Sequence, residues 1–127
     1  MSRFDPKNGY TPLTAPSKPW AEIEKFYASL TEAAFDQQPM VGLVRHIRSV
    51  YAEGRFHALT SMHTLVISLN NPIELDRENL RVDYHSTQSE WEFDYRSKPF
   101  KPAEFVRRYP TSSGIEKFDA FVKMIGW

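Results

Sequence analysis

Four histidines, His46, His57, His63 and His85, are the side chains best suited to move protons near neutral pH. His57 and His63 share an alternating phase within an apolar stretch, and Ser61 precedes His63 in that same phase. A serine beside a histidine is the pairing that activates a hydroxyl nucleophile. Two such positions on one strand are about 7 Å apart, beyond the reach of the hydrogen bond this chemistry needs. No G-x-S-x-G elbow presents the serine either. Ser61 and His63 therefore read as pocket walls, with Tyr84 and Trp91 opposite them, and no catalytic residue is assigned. This gives one functional reading: a small-molecule-binding or hydrolytic domain with a pocket near His63 and Tyr84.

The second concentration of reactive groups is Asp83, His85, Glu90, Glu92 and Asp94. His85 with Glu90, Glu92 and Asp83 converge across a hairpin, but a carboxylate row on the outer face of an amphipathic hairpin is ordinarily solvated. The chain has no H-E-x-x-H or H-x-H pattern, so no metal site is assigned. The five glycines, at 9, 42, 54, 114 and 126, are too scattered for a phosphate-cradling loop, and no cofactor is expected. Glycoside hydrolysis needs two carboxylates across a cleft, and spacing among 16 acidic residues selects no pair. The acidic group, tempered by Arg81 and Arg96, is instead suited to docking a protein partner, because complementary fields raise the on-rate and fix orientation.

Sixteen basic residues balance the sixteen acidic ones. Net neutrality argues against nucleic-acid binding, which calls for a basic excess. It can still hide a dipolar surface: Arg45, His46, Arg48 and Arg55 cluster in one segment, and Lys98, Lys101, Arg107 and Arg108 in another. With no cysteine, disulfides, thiolate catalysis and Cys-bound zinc are excluded. No apolar run reaches the roughly 18 residues of a membrane span, and the first dozen residues lack the apolar core of a secretory signal. The expected setting is the cytoplasm, away from any membrane.

The elements that must position these groups follow from the pattern. Residues 1–17, with Pro6, Gly9, Pro12 and Pro16, read as an extended arm pinned by Phe4, Tyr10 and Leu13. Residues 18–127 form a single α+β domain, a normal size for 127 residues. Trp20, Ile23, Tyr27 and Leu30 give a helix starting near Pro19 and capped by Ser17. Met40, Leu43, Val44, Ile47 and Tyr51 give a second helix, from Pro39 to a C′ glycine at Gly54. Residues 56–69 read as one central strand covered on both faces in its second half. Residues 73–79 read as a loop or a single helical turn.

Leu80, Val82 and Tyr84, then Trp91, Phe93 and Tyr95, alternate with polar residues around Thr87-Gln88-Ser89, which specifies a hairpin. Pairing Tyr84 with Trp91, Val82 with Phe93 and Arg81 with Asp94 is preferred to a register placing Asp83 against Asp94, because like charges directly opposite are unfavourable. A short helix from Pro102 to Tyr109, with Phe105 and Val106 inward, comes next. The last helix opens on a Ser113/Glu116 capping box, carries an apolar stripe from Ile115 to Ile125 and stops at Gly126.

The expected architecture is thus α+β: two N-terminal helices, a short antiparallel sheet of about three strands, then one short and one longer helix around an aromatic core. Its size and architecture are similar to those of immunity proteins, which neutralise a toxin by covering it. The leading functional expectation is a non-enzymatic protein-binding module, immunity-like or regulatory, docking through the outward face of the 80–96 hairpin. A three-stranded sheet also leaves edges, so pairing Leu80–Tyr84 or Trp91–Tyr95 with a second copy would make a homodimer.

Overall fold

The hairpin specified by alternation is the centre of the fold. In the computed structural model Asn79–His85 (β7) pairs antiparallel with Glu90–Arg96 (β8), in the register Tyr84↔Trp91, Val82↔Phe93 and Arg81↔Asp94. The model describes the backbone of residues 4–5 and 9–10 and all atoms of 14–33, 35–75, 78–97 and 105–127. Leu80, Val82, Tyr84, Trp91, Phe93 and Tyr95 are buried while the residues between them, apart from Asn79, are half-buried. That asymmetry fixes the register, because a slip of one residue would turn every ring to water.

The chain begins with Phe4–Asp5 (β1) and Gly9–Tyr10 (β2), which pair with each other, and Thr14–Ala15 (β3). The side chains of Phe4, Tyr10 and Leu13 lie outside the described residues. Helices Trp20–Glu32 (α1) and Gln38–Val50 (α2) follow, then strands His57–Ser61 (β4), Thr64–Ser68 (β5) and Ile73–Glu74 (β6). After β7 and β8 come Phe105–Pro110 (β9), one 3-10 turn and helix Gly114–Met124 (α3). The main sheet has five antiparallel strands, ordered β4-β5-β7-β8-β9, and β3 pairs separately with β6.

The sheet is therefore larger than about three strands, for two reasons. The stretch 56–69 is not one strand: it folds back at Met62–His63, so that Ser61 faces Thr64 and Leu59 faces Val66. Met62 takes φ 55, a conformation that ordinarily favours Gly or Asn, and its type gave no turn signal. The second half is covered on both faces as expected: Leu65 and Ile67 face the helices, and Val66 joins Leu59 and Ile73 in a small cluster opposite. The second difference is at 105–110, a strand where a helix to Tyr109 was expected; residues 102–104 lie outside the described residues. Phe105 and Tyr109 point to the core side while Val106, Arg107 and Arg108 are exposed, and the strand is fixed by its ladder with β8 from Tyr95↔Phe105 to Glu90↔Pro110. Residues 73–74 likewise form a short strand, with Ile73 fully buried.

The helices pack on one face of the sheet. Ile23 and Tyr27 of α1, Met40, Val41, Leu43, Val44 and Ile47 of α2, and Phe118, Phe121 and Val122 of α3 meet the inner residues of β4, β5, β7 and β8 in one cluster. The core is aromatic: Phe93 contacts Trp91, Tyr109, Phe118 and Phe121 with ring centroids 5.5–6.2 Å apart. Helix ends depart from expectation in detail. Pro19 is the N-cap of α1, and Ser17 donates its hydroxyl to Asn71 Oδ1 instead of capping. Helix α2 ends at Tyr51, and Gly54, φ 84, belongs to the turn beyond. Ser113 is the N-cap of α3 but makes no capping bond. At the far end Gly126 takes φ 82, and the N–H groups of Gly126 and Trp127 donate to the carbonyls of Lys123 and Val122, closing the helix as expected.

Candidate functional site

With the helices on one side, the other face of β7, β8 and β9 carries charge. Its register places Thr64, Asp83, Glu92 and Arg108 in one row across four strands, and Arg81, Asp94 and Val106 in the next. The hairpin acids are half-buried, with side-chain exposures of 30% for Glu90, 21% for Glu92 and 15% for Asp94. Each takes a specific partner. Arg108 Nη1 donates to Glu90 Oε1 at 3.1 Å and its Nη2 sits 2.9 Å from Glu92 Oε1. His85 Nε2 lies 3.2 Å from Glu92 Oε1. Arg96 donates two bonds to Asp94, each 3.2 Å, and that carboxylate raises the guanidinium pKa. Thr64 Oγ1 donates to Asp83 Oδ1 at 2.6 Å.

These contacts explain how the hairpin tolerates Asp83 directly opposite Glu92, a like-charge pair that its register creates. A cation from the neighbouring strand and a hydroxyl from the other side offset the repulsion. In the sequence Arg108 groups with Lys98, Lys101 and Arg107 near an expected helix, whereas residues 105–110 are a strand. On β9 it crosses to the acids, so the face holds Arg81, Arg96 and Arg108 against Asp83, Glu90, Glu92 and Asp94, one negative charge in excess. It is a mixed, internally paired face, not a bare acidic one. Lys98 and Lys101 of the same expected basic group lie outside the described residues.

The four residues expected to wall a pocket are not brought together. Tyr84 and Trp91 sit against each other in the core, 5.2 Å between centroids, and border a shallow cavity of about 460 Å³ with Asp36, Pro39, Thr111 and Ile115. Tyr84 Oη is 2.8 Å from Thr111 Oγ1, and Trp91 Nε1 donates to the Thr111 carbonyl at 3.1 Å. Ser61 lines a different cavity, and His63 lines neither. His63 is exposed at the β4–β5 turn, its ring 5.6 Å from that of Phe35, while its carbonyl accepts a 3.0 Å bond from Tyr27 Oη. A further groove of about 630 Å³ runs between the start of α1 and the segment after α2, where His57 and Phe56 form part of its wall.

One constellation has no counterpart in the sequence reading. His46 Nε2 lies 2.9 Å from both carboxylate oxygens of Asp119, and Tyr51 Oη donates to Asp119 Oδ1 at 2.6 Å. Burial, and then the bond to Asp119, push the Tyr51 hydroxyl pKa well up. The group joins α2 to α3 and reads as a helix clamp. His46 and Asp119 are 73 residues apart, so only the fold could reveal the pair.

Among the described residues no group of three or more histidine, aspartate or glutamate side chains could hold a metal ion, and no helix is long and apolar enough to cross a membrane. No protein-family model, curated protein or solved structure matches the chain.

Proposed function

We propose that the protein is a non-enzymatic, cytoplasmic protein-binding module, immunity-like or regulatory, that docks a partner through the outer face of β7, β8 and β9. The observation that carries this reading is a sheet face that no described helix covers, on which Arg108 and His85 link Glu90 and Glu92 while Asp83 and Asp94 stand in neighbouring positions held by Thr64 and Arg96. Val106, 45% exposed beside Asp94, supplies an apolar contact within this polar surround, the composition of a docking patch. Side chains already held by their neighbours lose little further rotamer entropy on association, which favours tight and specific contact.

The reading also directs the chemistry of the partner. Paired acids and arginines offer both donors and acceptors, so the matching surface is polar and of mixed charge, and specificity comes from geometry more than from net charge. A homodimer through Leu80–Tyr84 or Trp91–Tyr95 does not fit, because both strands are interior and paired on each side. The outermost strands of the sheet are β4 and β9.

The test is affinity capture from the native host, followed by quantitative binding of the recovered partner to Glu92→Gln/Asp94→Asn. These replacements keep shape while removing charge. Binding should weaken at least tenfold and depend less on salt, with an unchanged circular dichroism spectrum. A partner that binds the folded double variant as tightly as the parent would refute this docking face.

A further inference from the structure

Next to the acids on the same side of the sheet, the small β3–β6 ribbon packs over Leu59 and Val66 and leaves a cavity of about 490 Å³ against β4, β5 and β7. Its floor is apolar: Leu59 and Val66 are buried there, with Ala15 and Leu75 packed alongside. Two cations border this apolar space, Lys18 and Arg81. Arg81 is the informative one. It stands directly opposite Asp94 on β8, yet Asp94 is held by Nε and Nη2 of Arg96. Arg81 turns instead to the cavity wall, and its Nε donates to Asn79 Oδ1 at 3.3 Å. Among the described residues neither Arg81 nor Lys18 makes an ion pair, whereas the other two arginines on this face do. A half-buried guanidinium without a carboxylate, on the wall of an apolar cavity, bears a desolvation cost that an anion would offset.

We propose that this cavity binds a small amphiphilic carboxylate, its head group on Arg81 and Lys18 and its hydrocarbon body over Leu59, Val66 and Leu75. The guanidinium fork matches a planar carboxylate through two parallel bonds. The exposed Ser61 hydroxyl, also on the cavity lining, adds a donor. One arginine, one lysine and an apolar floor suit a singly charged head on an apolar chain, whereas a phosphate would call for more donors. The cavity adjoins the docking face and shares Arg81 with it, but its apolar floor and Lys18 lie outside the acidic row, and octanoate binding tests it without reference to any protein partner.

Octanoate is the probe, titrated into the isotope-labelled full chain and followed by amide chemical shifts and calorimetry, with octanol as the uncharged control. Shifts should centre on Leu59, Ser61, Val66 and Arg81, octanoate should bind at least tenfold more tightly than octanol, and the melting temperature should rise. Arg81→Gln should weaken octanoate at least tenfold, and Arg81→Lys should lie between it and the parent. Should Arg81→Gln fail to fold, the exposed Lys18→Gln replaces it, with a several-fold loss expected. The proposal is overturned by no saturable octanoate binding, by shifts centred elsewhere, by equal affinity for octanol, or by a folded variant that binds like the parent.

Discussion

Gly114 shows how tightly one residue can constrain this core. It opens α3 directly over the Trp91 indole, and a Cβ built there would lie 2.0 Å from Nε1 and 2.3 Å from Cε2. Trp91 cannot retreat, since its Nε1–H is fixed to the Thr111 carbonyl and its ring is packed between Tyr84 and Phe93. Gly114→Ala should therefore destabilise the fold by about 1–3 kcal/mol through overpacking, read as a lower urea midpoint with unchanged slope. Tyr27 makes a different demand. Burial, and secondarily the charge of Asp83, raise its hydroxyl pKa far above the ordinary tyrosine value. A raised folded-state pKa gives stability that is complete below the unfolded value and is lost as pH climbs beyond it. Denaturant titrations should accordingly show stability falling above about pH 10. Tyr27→Phe should lose about 1 kcal/mol at neutral pH, with the Tyr27–His63 bond, and show a shallower alkaline decline.

At the scale of elements, the contact between α2 and α3 rests on Asp119, which takes His46 from one side and Tyr51 from the other. Removing the carboxylate leaves both partners unmatched at a partly buried seam, so Asp119→Ala should cost about 1–3 kcal/mol. In a double-mutant cycle, Tyr51→Phe with Asp119→Ala should couple by more than about 0.5 kcal/mol, whereas Asp119→Ala with the distant Thr64→Val should add simply. What the sequence made legible was set by period and what it hid was set by contact. Alternation in 79–96 specified β7, β8 and their register, and helical spacing located α1, α2 and α3 to within a residue or two. The β4–β5 turn was hidden because Met62-His63 contains neither glycine nor asparagine. Strand β9 was hidden because a proline-flanked segment of six residues supports either period. Asp83, His85, Glu90, Glu92 and Asp94 were legible as one face. Arg108 on the acids, Arg81 on the cavity and Asp119 in the clamp depend on which strands and helices become neighbours, which no local pattern encodes.

For the whole molecule, the placement of the three described helices on one side makes the two faces of the sheet unequal, and its two edges differ as well. The outer edge of β4 is covered in part by the chain entering α1: the Lys18 amide donates to the Ala58 carbonyl at 2.8 Å, and Trp20 Nε1 to that of Phe56 at 3.2 Å. The β9 edge is guarded by charge, with Arg107 and Arg108 exposed and Pro110 at its end. Arg107→Val/Arg108→Val should remove that guard. Sedimentation velocity should then show concentration-dependent self-association absent from the parent, and a strictly monomeric double variant would show that the edge is protected by other means.

The strand order β4-β5-β7-β8-β9 also bears on how quickly the chain finds its native state. Every strand of the main sheet lies beside its nearest predecessor in that sheet, so the sheet grows by successive small ring closures, and each doubling of a loop adds only about 0.6 kcal/mol of closure entropy. The rings of Phe118 and Phe121, by contrast, rest on strands laid down well before them in the chain. Seating α3 closes a longer loop than the β7–β8 turn does, so in stopped-flow refolding substitutions under that helix should retard folding more than those in the turn.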